Sequence, residues 1–414
     1  MLIGGRRRFI KTGFAAGAAS LFLSRDAKAD RAENLAEAMQ SPVLRKELFA
    51  EPVVIESIEL LRSGKHYLVR ARSKNGAVGL AGAHDSVTET AFPILLRRVI
   101  PYFIGRDARE LDSLIHGVYL HSSNYKWQGL PFWACVAGVE LALLDLLGKI
   151  ASKPVGELIG KVVRGKIPVY RASGNRGNSP EQEIEYLRRI VEETGASAIK
   201  FRLGARMRYD DASTRRDLAM IPLTRKVFGD GMTIYADANG SYDVPMSIRI
   251  GRLMERHKFA FLEEPVPFDY YEETKEVADK LAIPVAGGEQ ESSLRRFRWM
   301  IEHDVVQVVQ PDLFYFGGLT RTVRVARMAQ AAGIDCTAHM SGGGLGYLYV
   351  AHFASCIPNP GPHQEYKGDD DTIPVSSPTS SLKSDKGMLT VPTGPGLGIE
   401  FEPAFLKSAR IVTV

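Results

Sequence analysis

Three cysteines in 414 residues (Cys135, Cys336 and Cys356) are too few and too scattered for a disulfide framework or a zinc site. No apolar run reaches about 18 residues, so no membrane span is expected. No Gly-x-Gly-x-x-Gly follows a strand and opens a helix, which removes the main argument for a dinucleotide-binding open sheet. The Gly342-Gly343-Gly344 run lacks the Lys-Ser/Thr that completes a phosphate loop. Excess charge is also missing from most of the chain. The formal charge is +5, but residues 1–29 hold Arg6, Arg7, Arg8, Lys11, Arg25 and Lys28 against Asp26 alone. Beyond them stand 47 basic and 47 acidic residues, so a nucleic-acid partner is not expected.

What the first segment does have is a basic head, a modestly apolar stretch from Thr12 to Leu23, and Ala27-Lys28-Ala29. These are the parts of a secretory leader with a small-residue cleavage site. Arg6-Arg7 before Arg8, Phe9, Ile10 and Lys11 resembles the twin-arginine variant, an address read by export machinery. The expectation is a leader over 1–29, cut near Ala29, and a periplasmic or otherwise exported product.

Residues 30–50 read as a polar lead-in without an evident core face. From Val53 the pattern predicts strands over 54–60, 66–71 and 77–81, the last two joined at Asn75-Gly76. Helices are expected over 87–151, so residues 51–163 form an α+β unit. After Gly165 the rhythm becomes strand then helix, with strands ending near Ala172, Leu203, Asp237, Glu263, Gly287, Gln310, Ala338 and Glu365. Eight such units predict a (β/α)8 barrel over 164–390, α/β in class, followed by a C-terminal segment over 391–414. Residues 366–395 read as an irregular surface stretch, and Asp369-Asp370-Asp371 as a solvated acidic run.

Barrel enzymes carry reactive groups at the C-terminal ends of their strands. Those ends offer Lys200 and Arg202, Asp237 and Asn239, Glu263, Glu289, Asp312, His339 and Glu365. Singly, an acid after a strand is an ordinary helix cap. Seven successive strands delivering ionisable groups to one rim are harder to dismiss. Asp237, Glu263 and Glu289 are each 26 residues apart, and three neighbouring carboxylates stay ionised together only beside a cation. Oxygen ligands without His or Cys favour Mg2+ over zinc. Alternation along a strand predicts that only one of Glu263 and Glu264 points inward, and the spacing selects Glu263. A His beside a buried Asp suits a general base near neutral pH, which points to His339 with Asp312. Cys336 and Cys356 read as small packing residues, and His84, His303 and His352 as surface or helix residues.

The order Lys-x-Arg, Asp-x-Asn, Glu-Glu-Pro, Gly-Glu, Pro-Asp, Gly-Gly and Ala-His resembles the mandelate racemase group of the enolase superfamily. The 142–149 segment (ALLDLLGK) resembles that group's cap helix, and Pro395-Gly396-Leu397-Gly398 resembles its returning tail. The resemblance implies a modified barrel with an N-terminal capping domain. It implies Asp237, Glu263 and Glu289 as Mg2+ ligands, His339 as base paired with Asp312, and Lys200 against a substrate carboxylate. Glu365 would hold that carboxylate and Asn239 would contact a hydroxyl. The resemblance also implies a Lys or His base working with Mg2+ to stabilise an enediolate. Dimers or octamers are common in the group, so a homo-oligomer is expected.

Two departures matter. Arg202 stands where many members carry a second lysine base, and a guanidinium is a poor proton acceptor. It still binds anions, but two-base racemisation becomes less favoured. The loop between the first two cap strands is very short (Ser63-Gly64-Lys65), and Ser122 to Trp127 is a candidate to compensate. The resulting expectation is Mg2+-dependent dehydration of a sugar acid to a 2-keto-3-deoxy acid. A racemase, epimerase or cycloisomerase is the alternative, and a non-catalytic exported solute-binding protein the second.

Overall fold

A computed structural model describes residues 25–342, 344–367 and 373–413. Most of the expected leader and the acidic run at Asp369-Asp370-Asp371 lie outside the described residues. The chain opens with helix Arg25–Gln40, which starts before the expected cleavage point. It has a core face after all: Leu35 and Met39 are buried and pack toward helices Leu294–Glu302 and Leu319–Ala331 of the second unit. Arg31 fastens it by donating to the Ile301 carbonyl (2.6 Å) and pairing with Asp304 (2.6 Å). Two apolar residues four apart are one contact stripe, too narrow to show as periodicity.

The first unit is an antiparallel meander of β1 (Ile55–Ser63), β2 (His66–Ser73) and β3 (Val78–Gly82), extended at β1 by Arg410–Ile411. Ser63 pairs with His66, so the β1–β2 connection is only Gly64-Lys65, with Gly64 at φ +59°. Helix Leu130–Ala151 lies across β2 and β3. A Cβ on Gly79 would stand 2.1 Å from the Ala142 carbonyl oxygen, so glycine alone permits this approach. The helix is 22 residues long with mean hydropathy 1.8, enough to cross a bilayer by length and composition. It is instead a core helix, 89% buried in its most apolar window. Glu140 and Asp145, which interrupted the run in the sequence, are buried as well.

Each has a structural task. Asp145 accepts from Leu80 N and Leu397 N (both 2.9 Å), tying sheet, helix and C-terminal tail together. Gly396 sits at φ +69°, and a Cβ there would fall 2.3 Å from Asp145 Oδ1. Gly396→Ala is expected to lower unfolding stability by about 3 kcal/mol, through overpacking and a strained backbone together, as read from denaturant midpoints. An unchanged midpoint would contradict this packing.

Glu140 accepts from Leu319 N and Thr320 N (both 2.6 Å) at the start of helix Leu319–Ala331. Burial pushes its carboxyl up to about 7, against hydrogen bonds that lower it. The folded state therefore binds a proton more tightly than the unfolded state. This contribution is fully present below the ordinary carboxyl range and is lost as pH rises toward 7, on the order of 3 kcal/mol. Glu140→Gln should flatten this part of the Tm profile between pH 5 and 8; a profile parallel to wild type would contradict it.

The second unit alternates eight parallel strands with seven helices among the described residues. The strands are β4 (Lys166–Ala172), β5 (Ala198–Arg202), β6 (Thr233–Asp237), β7 (Phe261–Glu263), β8 (Val285–Gly287), β9 (Val308–Val309), β10 (Asp335–Cys336) and β11 (Gln364–Tyr366). Pairing runs in chain order from β4 to β10, and β11 returns to β4. Between β10 and β11 the ladder thins to a single bridge, Cys336 with Pro360. Tyr170, Ala198, Tyr235, Phe261, Ala286 and Val308 pack together as an apolar cluster inside this ring.

Candidate active site

That cluster is the floor of the site. Two residues above its members, by the alternation of strands, stand Lys200, Asp237 and Glu263. Register sets their heights: Arg202 pairs with Asp237, and Asp237 with Glu263, across neighbouring strands. Glu289 follows β8 after Gly288, whose φ of +108° turns the chain. One carboxylate oxygen from each of Asp237, Glu263 and Glu289 lies within 4.8 Å of the others, all three residues buried. Asp237 Oδ2, Glu263 Oε1 and Glu289 Oε2 receive no hydrogen bond, although Arg202 pairs with the first and His339 lies 3.2 Å from the third. Three buried, under-bonded anionic oxygens converging on one point fit a hard cation that keeps positions for substrate oxygens.

Two cations brace the acids from below. Lys200, fully buried, pairs with Glu263 (2.6 Å) and Glu365 (3.4 Å), and its ammonium lies 5.0 Å from the centre of the Tyr170 ring. Burial opposes its charge, but Glu263 and Glu365 outweigh burial and raise its pKa. Burial likewise opposes ionisation of Glu365, yet Lys200, Lys367 and His339 hold it well below the carboxylate range. Met340 N also donates to Glu365 (2.9 Å). Arg202 sits against Asp237, 3.5 Å from Asn239 Oδ1 and 3.9 Å from Glu365.

On the loops after β9 and β10, His339 Nδ1 meets Asp312 Oδ2 at 2.6 Å. Asp312 also accepts from Phe314 N, Tyr315 N and Ser341 N (2.8 Å each). Burial favours the neutral acid, but His339 first, and then the donors from Tyr315 and Ser341, keep Asp312 below its ordinary pKa. The ionised Asp312 leaves His339 Nε2 as the nitrogen toward Glu289 (3.2 Å) and Glu365 (3.5 Å). Burial lowers the His339 pKa, and the surrounding acids outweigh it upward.

All nine residues singled out in the sequence thus converge on one end of the barrel. A cavity of about 420 Å³ opens there, lined among others by Arg202, Asn239, Glu289, His339, Gln290 and Lys367. Asn239 serves the site internally, accepting from Arg176 and donating to Glu264 (3.3 Å) and Glu289 (3.4 Å). Ser122 to Trp127 does not line the cavity, and every lining residue comes from the second unit.

Arg176 went unnoticed in the sequence, and Glu264 and His84 sit otherwise than expected. Glu264 faces the same cavity as its neighbour's site because its φ of +41° breaks strand alternation. Burial, then Glu289 and Glu263, raises its pKa well above normal. His84 is a buried helix cap whose ring lies 5.3 Å from Tyr315, behind the loop that follows His339. Arg176, on the loop after β4, reaches Asn239. His352 is a helix residue as expected, though buried, with its ring against the Leu397 carbonyl (3.1 Å).

Comparison with known proteins gives two family matches. Residues 43–160 match the mandelate racemase / muconate lactonizing enzyme N-terminal domain, and residues 182–405 the enolase C-terminal domain-like family. The arabinonate dehydratase of Saccharolobus solfataricus is 28% identical over 320 residues, 77% of this chain and 82% of that protein. The D-galactonate dehydratase of Verminephrobacter eiseniae is 26% identical over 338 residues, 79% of this chain and 87% of that protein. The crystal structure of a mandelate racemase/muconate lactonizing protein from Paracoccus denitrificans, complexed with magnesium, superposes with a TM-score of 0.78. It is 27% identical and covers 87% of this chain and 99% of its own.

Proposed function

Because the chain belongs to the enolase superfamily, with a capping domain and a (β/α)8 barrel, we propose that it dehydrates a sugar acid to a 2-keto-3-deoxy acid with Mg2+ held by Asp237, Glu263 and Glu289. The observation that carries this reading is an asymmetry. His339 is held as a base by Asp312 on one side of the site, while Lys200 and Arg202 are paired with buried acids on the other strands.

When bound, Mg2+ supplies positive charge where negative charge develops on the substrate carboxylate. Lys200 adds to it from within the barrel, without needing to reorganise. His339 Nε2 takes the proton from the carbon beside the carboxylate, and Asp312 holds the ring and stabilises the imidazolium. The electron pair then expels the neighbouring β-hydroxyl. Protonated His339 returns its proton to the departing oxygen, so water leaves and the enol rearranges to the keto acid. A single base serves both proton transfers, which is why dehydration fits better than racemisation across two faces. The dehydratase activities of the relatives named above support the same substrate class. Export through the twin-arginine leader is part of the same proposal, and cell fractionation tests it.

The direct test incubates the protein with Mg2+ and a panel of aldonates and aldarates in D2O, scoring keto acid and deuterium together. Keto-acid formation supports dehydration. Exchange without water loss would replace it with racemisation or epimerisation. Binding without exchange, indifferent to Mg2+, would replace it with solute capture.

A further inference from the structure

The cations of the site are unequally matched. Lys200 and Arg202 are balanced by Glu263, Glu365 and Asp237. Arg176 and Arg206 have no ion-pair partner among the described residues, and both lie on the Asn239 side of the site. Arg176 donates to Asn239 Oδ1, while its Nε is buried without a partner. Burial, and then the crowding of Arg202 and Arg206, pulls its pKa down to about 10. Among the described residues, Arg202 has acid partners but Arg176 and Arg206 have no ion pair to offset their crowding.

Arg206 is held at the cavity by a rigid turn rather than a loose loop. Arg206 and Met207 both take left-handed conformations (φ +53° and +59°), which cost energy in residues other than glycine. Ala205 N donates to Arg208 O (2.9 Å), and Met207 N to Asn239 O (3.0 Å). The same backbone that fixes Asn239 therefore fixes the turn. Arg202 and Arg206 line the cavity, with Lys367 also on its wall. Of the acids there, Glu289 belongs to the metal cluster and Glu264 accepts from Asn239 Nδ2 (3.3 Å).

We propose that Arg176 and Arg206 bind a second anionic group at the far end of the substrate, so that the preferred substrate is a doubly charged acid rather than an aldonate. The distal group is a carboxylate, as in an aldarate, or a terminal phosphate; arginine forks recognise both. This rests on the dehydration reading for the near end of the substrate. It also departs from the monoacids named in the arabinonate and galactonate relatives.

The test compares aldarates, ω-phosphorylated aldonates and plain aldonates of matched configuration with the Mg2+-loaded full chain. A doubly charged acid should exceed its aldonate in kcat/KM by roughly 10- to 100-fold, the worth of one or two charged hydrogen bonds. In Arg206→Ala and Arg176→Ala that ratio should collapse toward one, mainly through KM. Whether the aldarate or the phosphorylated acid leads tells which anion is read. Equal or better use of the aldonate by wild type, or an equal loss on both classes in the variants, overturns the proposal. Calorimetric binding of the same pairs to His339→Asn protein measures the ratio without turnover. If no acid exchanges its α-proton but binding keeps the arginine-dependent ratio, the dehydration reading fails and the anion site stands.

Discussion

Replacing His339 with asparagine is expected to abolish exchange of the substrate α-proton, with turnover falling by at least roughly 10²–10⁴-fold. Asparagine preserves much of the size and the bond toward Asp312 but has no basic nitrogen. The neighbours cannot substitute. Lys200 and Arg202 are kept protonated by the acids around them, and Asp312 is saturated with backbone donors. Mass spectrometry of substrate recovered from D2O is the readout. Undiminished exchange would move the base elsewhere and remove the one-base argument for dehydration. Unchanged far-UV dichroism and Tm should accompany the loss.

Glu289→Gln should likewise remove detectable turnover, but with a different second signature. The carboxamide fills the same space and can still face Asn239 Nδ2 and Gln290 Nε2, which lie 3.4 and 3.1 Å from Glu289 Oε1. It lacks the charge that draws a hard cation. Even residues that merely orient a metal ligand alter affinity by about 10–100-fold, so losing a ligand charge should weaken Mg2+ binding at least that far. Calorimetric Mg2+ titration separates this from lost basicity at His339, whose variant should bind Mg2+ normally. Normal turnover by Glu289→Gln in chelator would sink the metal assignment.

Much of this site was legible because parallel strands make spacing meaningful. An apolar run ending in an acid puts Asp237 and Glu263 at one height on neighbouring strands, and Glu289 joins them from the turn beyond β8. The expected barrel-strand ends fall within two residues of those observed, although burial continues past them, as at Ala238 and Asn239. Glu264 was not legible, because alternation holds only while the backbone stays extended, and the left-handed turn at Glu264 ends that rule. Arg176 and Arg206 lie on loops, where no periodicity marks direction; only tertiary contact brings them beside Arg202. The long cap helix falls within the helical stretch expected over 87–151, but burial of Glu140 and Asp145, acids that hold distant backbone, cannot be read locally.

The N-terminal helix bears on how the chain would be trimmed. Its fastening points, Arg31, Leu35 and Met39, all lie beyond Ala29. A signal peptidase cutting there would shorten the first turn and leave every one of these anchors on the finished protein. On the export reading, the finished protein would keep the contacts that tie this helix to the two barrel helices.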